Sequence, residues 1–272
     1  MARVLNGGEI ADFIKERQIK QVRNLRQEHH IAPKLVIIKS DNSNQAIDSY
    51  VRMKQRYAED MLIDVDVISI AQDQMRDAIE RANADDAVHG IIIQLPLDDP
   101  AQTDELCGLI APQKDVDGLG SGEVFTGATA EAIDWLLAGY NVELVGRRIA
   151  LLGHGRLVGE PLAKLWIERG LNVTVLDEDS TDIGNTLIHS DVIVTATGVP
   201  RILTSDRVPV DAVVVDAGTA SENGVLVGDV APDVRERKDL TITPEKGGVG
   251  PLTIAVLFDH VIQAALRIAG KL

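Results

Sequence analysis

Arg148-Ile149-Ala150-Leu151-Leu152-Gly153-His154-Gly155-Arg156-Leu157-Val158-Gly159, followed by Pro161 and later by Val173-Thr174-Val175-Leu176-Asp177, is the stretch that decides the fold. The apolar run up to Leu152 reads as a buried strand. Gly153, Gly155 and Gly159 then make a turn, Leu162 to Ile167 continue as a helix, and a second strand ends at Asp177. The glycines are spaced G-x-G-x-x-x-G, one residue longer than the common fingerprint. The three roles still apply: a tight turn, close backbone approach to a pyrophosphate, and tight helix packing. A helix N-terminus placed there offers N–H groups and a positive dipole end to an anion. Glycine turns also join strands to helices without any ligand, so it is the strand–turn–helix–strand context that points to a dinucleotide. Asp177, about 20 residues beyond the glycines, is placed to accept hydrogen bonds from ribose hydroxyls. With Glu178 and Asp179 beside it, the site repels a 2′-phosphate, which favours NAD over NADP; a solvated acidic turn is the plainer reading.

Outward from this unit the same rhythm continues. Val192 to Thr195, Ala212 to Asp216 and Leu240 to Thr243 read as further strands. Upstream, Leu35 to Lys39 and Gly90 to Gln94 are compact apolar runs. Ile63 to Ile70 alternates with period two, a strand with one wetter face. A helix is expected from about Asn44 to Asp60, and Met75, Ala78, Ile79 and Ala82 fall at helical spacing. Continuous apolar strands separated by helices mean an α/β fold with parallel sheets covered on both faces. Gly118-Leu119-Gly120-Ser121-Gly122 reads as the link between two α/β lobes.

At 272 residues the chain is long enough for two moderate domains. Aromatic residues are only 3%, so the core must be built from Val, Ile, Leu and Ala. The formal charge of −15 argues against nucleic acid as a partner. The single cysteine, Cys107, excludes an internal disulfide and reads as a buried helix residue. The N-terminus lacks the apolar core of a signal peptide, and no apolar run approaches the ~20 residues that span a bilayer. A cytoplasmic protein without membrane contact is expected. No metal site is expected.

A second constellation lies upstream. Tyr50 and Lys54 are four apart on a helix and share a face. Gln94-Leu95-Pro96-Leu97 ends a buried strand, and Lys114-Asp115-Val116-Asp117-Gly118 leads into the glycine run. Ligands in open α/β sheets collect at the carboxyl ends of strands, so Gln94 is placed to meet a helix residue there, and Asp117 to enter a cleft between the lobes.

Taken in order, Tyr50-x-x-x-Lys54, Gln94-Leu-Pro-Leu97, Lys114-Asp-Val-Asp-Gly118, Val158-Gly-x-Pro161, Gly228-Asp-Val230 and Gly247-Gly-Val-Gly-Pro-Leu-Thr253 resemble the bifunctional methylenetetrahydrofolate dehydrogenase/methenyltetrahydrofolate cyclohydrolase family. The resemblance covers almost the whole chain. It implies two α/β lobes with a cleft between them: a folate-binding catalytic domain of residues 1–128 and 252–272, and a Rossmann-like dinucleotide-binding domain of 129–251, with the C-terminal helix returning to the first lobe. It implies catalytic roles for Lys54, Tyr50 and Gln94, and substrate contacts from Tyr50, Asp117, Gly248 and Pro251. Asp117 would grip the pterin, whose amidine-like edge suits a carboxylate. Cofactor contacts would come from Gly153, His154, Gly155, Arg156, Val158, Gly159, Asp177, Thr197 and Gly198. NADP is the usual cofactor of that family, tetrahydrofolate derivatives are its substrates, and a homodimer is its usual assembly.

The chain departs from the family pattern at several positions. His154 and Gly155 stand where Arg-Ser is usual, and Asp177-Glu178-Asp179 where groups able to meet a 2′-phosphate are common. Thr129-Ala130-Glu131-Ala132 replaces Thr-Pro-x-Gly, Glu245-Lys246 replaces Val-Pro, and Ile47 replaces a serine. These changes bear on cofactor choice and on dehydrogenation. They keep two alternatives in view: a monofunctional cyclohydrolase with a degenerate cofactor lobe, and a non-catalytic folate- or nucleotide-binding protein.

Overall fold

The computed structural model describes residues 3–43, 45–122, 124–222 and 225–271. In chain order the elements are β1 (Arg3–Val4), α1 (Gly7–Glu28), β2 (Lys34–Ser40), α2 (Gln45–Met61), β3 (Asp64–Ile70), α3 (Met75–Ala84), β4 (Gly90–Ile93), α4 (Thr103–Gly108) and α5 (Ala128–Gly139). Then follow β5 (Arg148–Leu152), α6 (Gly159–Glu168), β6 (Asn172–Leu176), α7 (Ile183–Ile188), β7 (Val192–Thr195), β8 (Val213–Asp216), β9 (Ala220–Glu222), β10 (Val225–Val227), α8 (Pro232–Arg235), β11 (Thr241–Ile242) and α9 (Val249–Ile268). The chain divides into two compact units, one of residues up to Ala11 with Thr129–Thr253, the other of Asp12–Ala128 with Ile254 onward.

The unit of Asp12–Ala128 holds a parallel sheet in the order β3-β2-β4. β2 pairs with β4 from Leu35↔Gly90 to Ile38↔Ile93 and with β3 along its whole length. The central strand is buried through Leu35–Ile38, while β3 alternates, as an edge strand with one wet face must. Ile47, Val51, Ala58 and Met61 put the apolar stripe of α2 inside, and Leu62 at φ 60 ends the helix in the left-handed region. Beneath β4 lies a cluster including Met75, Ile79, Ile91, Ile93, Leu106 and Cys107. Burial, with Asp115 and Asp117 adding to it, pushes the Cys107 thiol up to about 12, so it is protonated and inert at neutral pH.

The other unit is built on a six-stranded parallel sheet ordered β1-β11-β8-β7-β5-β6. From β5 the chain steps outward to β6, then crosses back to β7 on the other side. The strand order therefore reverses at β5, a topological switch point of the doubly wound kind. Its core is aliphatic, with Leu152, Ile193, Leu203, Val214 and Val234 in one cluster. A separate antiparallel ribbon pairs β9 with β10.

Three differences from the sequence-based expectations have clear physical causes. Residues 3–11 do not go with 12–128: Arg3 and Val4 pair with Thr241 and Ile242, extending the six-stranded sheet. The Gly118–Gly122 run is no linker. Asp115 gathers it into a folded loop by accepting from the amides of Leu119 and Gly120, and the division falls after Ala128. Finally, α9 is long and apolar enough, by length and composition, to cross a membrane. Two-thirds of it is buried inside the fold. Its Asp259 is buried, paired with Arg17 at 2.5 Å and within reach of the Gln18 amide, as suits a core helix.

Candidate active site

The sheet β3-β2-β4 also reverses its strand order, at β2. Two side chains meet at its carboxyl edge. Lys54, in the third turn of α2, donates from Nζ to Gln94 Oε1 at 2.9 Å. Gln94 immediately follows β4, and its own N–H is fixed by Ile38 O at 2.8 Å. Its Nε2 donates to Leu95 O, so the amide turns its oxygen towards the lysine. Burial lowers the Lys54 pKa and the charge of Asp117 opposes that effect. Tyr50, one turn earlier on α2, is half-buried, and burial raises its phenol, keeping it neutral.

The segment carrying Asp117 is shaped by residues that sequence reasoning quoted without assigning a task. Lys114 Nζ donates to the carbonyls of Ala82, Asn83 and Asp85, closing the C-terminal end of α3. Asp115 bridges to Ile91 beside β4 and holds the following loop. Val116 packs so tightly on Gly90 that an added Cβ there would sit 2.9 Å from it. Gly118 has φ +65, and a side chain there would strike the backbone of Thr126 at 2.7 Å. Half of the Lys-Asp-Val-Asp-Gly motif is thus scaffold for the other half. A cavity of about 270 Å³ lined by Val88, His89, Lys114 and Arg267 lies by the opposite, N-terminal end of β4, away from this chemistry.

In the other unit the turn after β5 meets the end of β7. Gly153 has φ +103, and a Cβ there would be 2.5 Å from Ala196 O. A Cβ on Gly159 would be 2.1 Å from Gly153 O, so the start of α6 presses directly on the turn. Gly155, by contrast, faces open space. This geometry suits a dinucleotide: two glycines are required by the backbone, and the third leaves room outside the helix start. One expectation needs correction. The amides of Val158 and Glu160 are not free for an anion, because both donate to Gly155 O. His154 and Arg156 lie on the same turn, with His154 exposed and Arg156 half-buried. Thr197 and Gly198 directly follow β7, and Gly198 has φ +69. Asp177 lies at the end of β6, exposed, with Ser180 Oγ donating to its carboxylate at 2.7 Å and holding its pKa below the usual range.

Gly248 and Pro251 belong to this unit rather than to that of Lys54. Gly247 O accepts from the amides of Gly7 and Gly8, and a Cβ on Gly7 would collide with Gly248 O at 1.9 Å. The Gly247–Pro251 segment is thus locked to the start of α1. Sequence reasoning also missed Asp229, fully buried, and Asp216, whose side chain is buried; they tie together the segments after β7, β8 and β10. The Gly228-Asp-Val230 triplet was the one available signal.

One unit thus carries a lysine–glutamine site at a switch point and the other a dinucleotide-type turn, which defines a two-unit α/β protein of the NAD(P)-binding class. The matching family models are the tetrahydrofolate dehydrogenase/cyclohydrolase catalytic domain over residues 5–117 and its NAD(P)-binding domain over 127–269, and the chain belongs to this family. It is 34% identical to the bifunctional protein FolD of Exiguobacterium sibiricum, covering 97% of this chain and all of that one. Among solved structures it is similar to the bifunctional FolD enzyme of Campylobacter jejuni, with a TM-score of 0.91 and 31% identity over 98% of this chain and all of that one. The FolD of Trypanosoma brucei, solved with NADP and an inhibitor, matches with a TM-score of 0.91 and 28% identity over 98% of both chains.

Proposed function

We propose that the chain oxidises 5,10-methylenetetrahydrofolate to the 5,10-methenyl form with a nicotinamide dinucleotide, and hydrolyses that product to 10-formyltetrahydrofolate. The observation that carries this reading is the Lys54 Nζ–Gln94 Oε1 hydrogen bond beside Asp117, in a chain of this family. An unperturbed lysine near pKa ~10.4 is a poor proton shuttle at neutral pH. Burial brings Lys54 down, and Gln94 aims it.

A bound nicotinamide dinucleotide would supply the hydride acceptor for oxidation of the methylene carbon, giving the methenyl cation on the folate. Lys54 then assists the addition of water to that cation, taking a proton as the carbon–oxygen bond forms and returning it as the ring carbon–nitrogen bond breaks. Asp117 holds the pterin edge through paired hydrogen bonds, and the neutral Tyr50 lies along the folate. Gly153, His154, Gly155, Arg156, Val158 and Gly159 hold the dinucleotide phosphates, with Thr197 and Gly198 towards its nicotinamide half. We take the protein to act as a cytoplasmic homodimer, the assembly that the resemblance implies.

NAD is the preferred dinucleotide in this reading. Asp177 is ionised and stands at the end of β6, next to β5, where an adenosine ribose would lie. A 2′-phosphate there meets Asp177, Glu178 and Asp179 at close range. Initial rates of methenyl formation at matched NAD and NADP concentrations test this. A kcat/KM ratio of about tenfold or more in favour of NAD is expected, about 1.4 kcal/mol of discrimination. A clear preference for NADP contradicts it.

A further inference from the structure

Asp229 is a buried acid that the reaction does not use. It is fully buried, and its two oxygens have different surroundings. Oδ2 accepts from the Thr197 N–H at 2.7 Å and from Thr197 Oγ at 2.9 Å. Thr197 Oγ in turn accepts from the Val199 N–H at 3.0 Å, so one carboxylate oxygen sets the whole Thr197–Val199 turn. Among the described residues Oδ1 has no hydrogen-bond partner, and it lies against Gly218, where an added Cβ would be 1.9 Å away.

The neighbouring acid, Asp216, shows why the arrangement is not a simple ion pair. Asp216 accepts from the amides of Gly218, Asp229 and Val230 and is neutralised by Arg235 at 2.5 Å. It packs on Gly228 as Asp229 packs on Gly218, since a Cβ on Gly228 would be 2.1 Å from Asp216. The two acids therefore interlock the segments after β8 and β10 through each other's glycine, and Asp229 ties both to the loop after β7. Arg235 serves Asp216, while the Asp229 carboxylate is held through the turn after β7. Burial, with the charge of Asp216 adding to it, raises the Asp229 pKa and the Thr197 hydrogen bonds oppose this. A buried acid of this kind is retained at a cost to stability, which the core alone does not require.

We propose that Asp229 is a positioning residue for the dinucleotide: its Oδ2 fixes the Thr197–Val199 turn at the carboxyl edge of the six-stranded sheet in the shape that receives the nicotinamide half. The proposal rests on the dinucleotide reading given above. Thr195 is the last residue of β7 and is fully buried, whereas Gly198 and Val199 are exposed, so the turn is the first accessible backbone beyond that strand. Ala196 O also touches the Gly153 turn, which brings the two loops of the switch point together. Without Asp229, the Thr197 amide and hydroxyl have no acceptor, and the turn loses its shape. Hydrolysis of the methenyl form consumes no dinucleotide.

Steady-state kinetics of the full-length enzyme test this with Asp229→Ala and Asp229→Ser, which both remove the reach to Thr197, and with Asp229→Asn, which keeps an acceptor oxygen of the same size. The expected result is a rise of about tenfold or more in the dinucleotide KM for the Ala and Ser variants, the scale of losing hydrogen bonds to a buried polar group. Their KM for methylenetetrahydrofolate and their cyclohydrolase rates should stay within about twofold, and Asn should restore the dinucleotide KM to within about threefold. An unchanged dinucleotide KM in either shortened variant overturns the proposal. So does a parallel fall in cyclohydrolase rate without rescue by Asn, which marks a merely structural role. If wild-type enzyme itself reduces no dinucleotide, it is the functional reading that has failed and not the assignment of Asp229.

Discussion

Lys54→Met is expected to lower hydrolysis of methenyltetrahydrofolate by at least about a hundredfold, the lower end of what a positioned acid–base group contributes. Methionine has similar length and no ionisable group, so the side chain still fills the site on α2 while the proton carrier is lost. Gln94 keeps its bond to Leu95 O, because that bond does not involve the lysine. Dinucleotide binding should be unaffected, since the glycine turn belongs to the other unit. Full hydrolysis by the variant would sink the assignment. The same variant has a stability signature of definite sign. Burial lowers the Lys54 pKa, so between its folded value and the ordinary ~10.4 the unfolded chain binds a proton that the folded chain has released. Wild-type stability therefore rises with pH across that window, and below it the buried ammonium opposes folding. Urea unfolding at pH 7 and pH 10 should show the wild type gaining on Lys54→Met as pH rises.

Gly159→Ala should cost about 2–4 kcal/mol of stability and abolish dinucleotide binding, an effect at the upper end for overpacking. The added methyl would be 2.1 Å from Gly153 O and 2.9 Å from the Cα of His154, both backbone atoms that no rotamer change can move aside. Either α6 backs away from the turn or the turn shifts against Ala196. Both outcomes distort the phosphate-binding loop. Gly155→Ala is the internal control, because a side chain there meets nothing within 4 Å. Its folding stability should match wild type, which thermal unfolding of the two variants will resolve.

These two glycines also show what made the fold legible from sequence. At Gly153 and Gly159 the backbone itself excludes any side chain, so the residue type announces the geometry. The apolar runs of β2, β4, β5, β7 and β8 were equally clear, because strands buried on both faces have nothing polar to interrupt them. β1 is two residues long, far too short for any periodicity, and it finds its partner more than two hundred positions away. The Gly118–Gly122 run misled because glycines that accept tight loop geometry look the same as glycines in a linker. α9 escaped notice as a long apolar helix because Asp259 interrupts its sequence, although that acid is buried and paired.

The candidate site divides along the same line. A tyrosine and a lysine four apart on a helix are common, so it was the order of motifs shared with the family, not the pair itself, that singled out Lys54, Gln94 and Asp117; the structure brings Lys54 and Gln94 together. Lys114, Asp115 and Asp229 were legible only as letters of motifs. Their partners are backbone groups, Ala82 O and Gly120 N–H among them, and a sequence does not show which amides a side chain will meet. The free amides expected at the start of α6 likewise depended on where Gly155 O would point.

The central claim is that one chain couples oxidation to hydrolysis, and product stoichiometry tests it most directly. The purified protein would be mixed with limiting 5,10-methylenetetrahydrofolate and excess NAD, and reduced dinucleotide, methenyl absorbance and 10-formyltetrahydrofolate followed together. The account predicts one reduced dinucleotide per 10-formyltetrahydrofolate, with methenyl absorbance rising and then decaying faster than it does without enzyme. Formation of no reduced dinucleotide with either NAD or NADP, or methenyl product that persists at its uncatalysed rate, would contradict it.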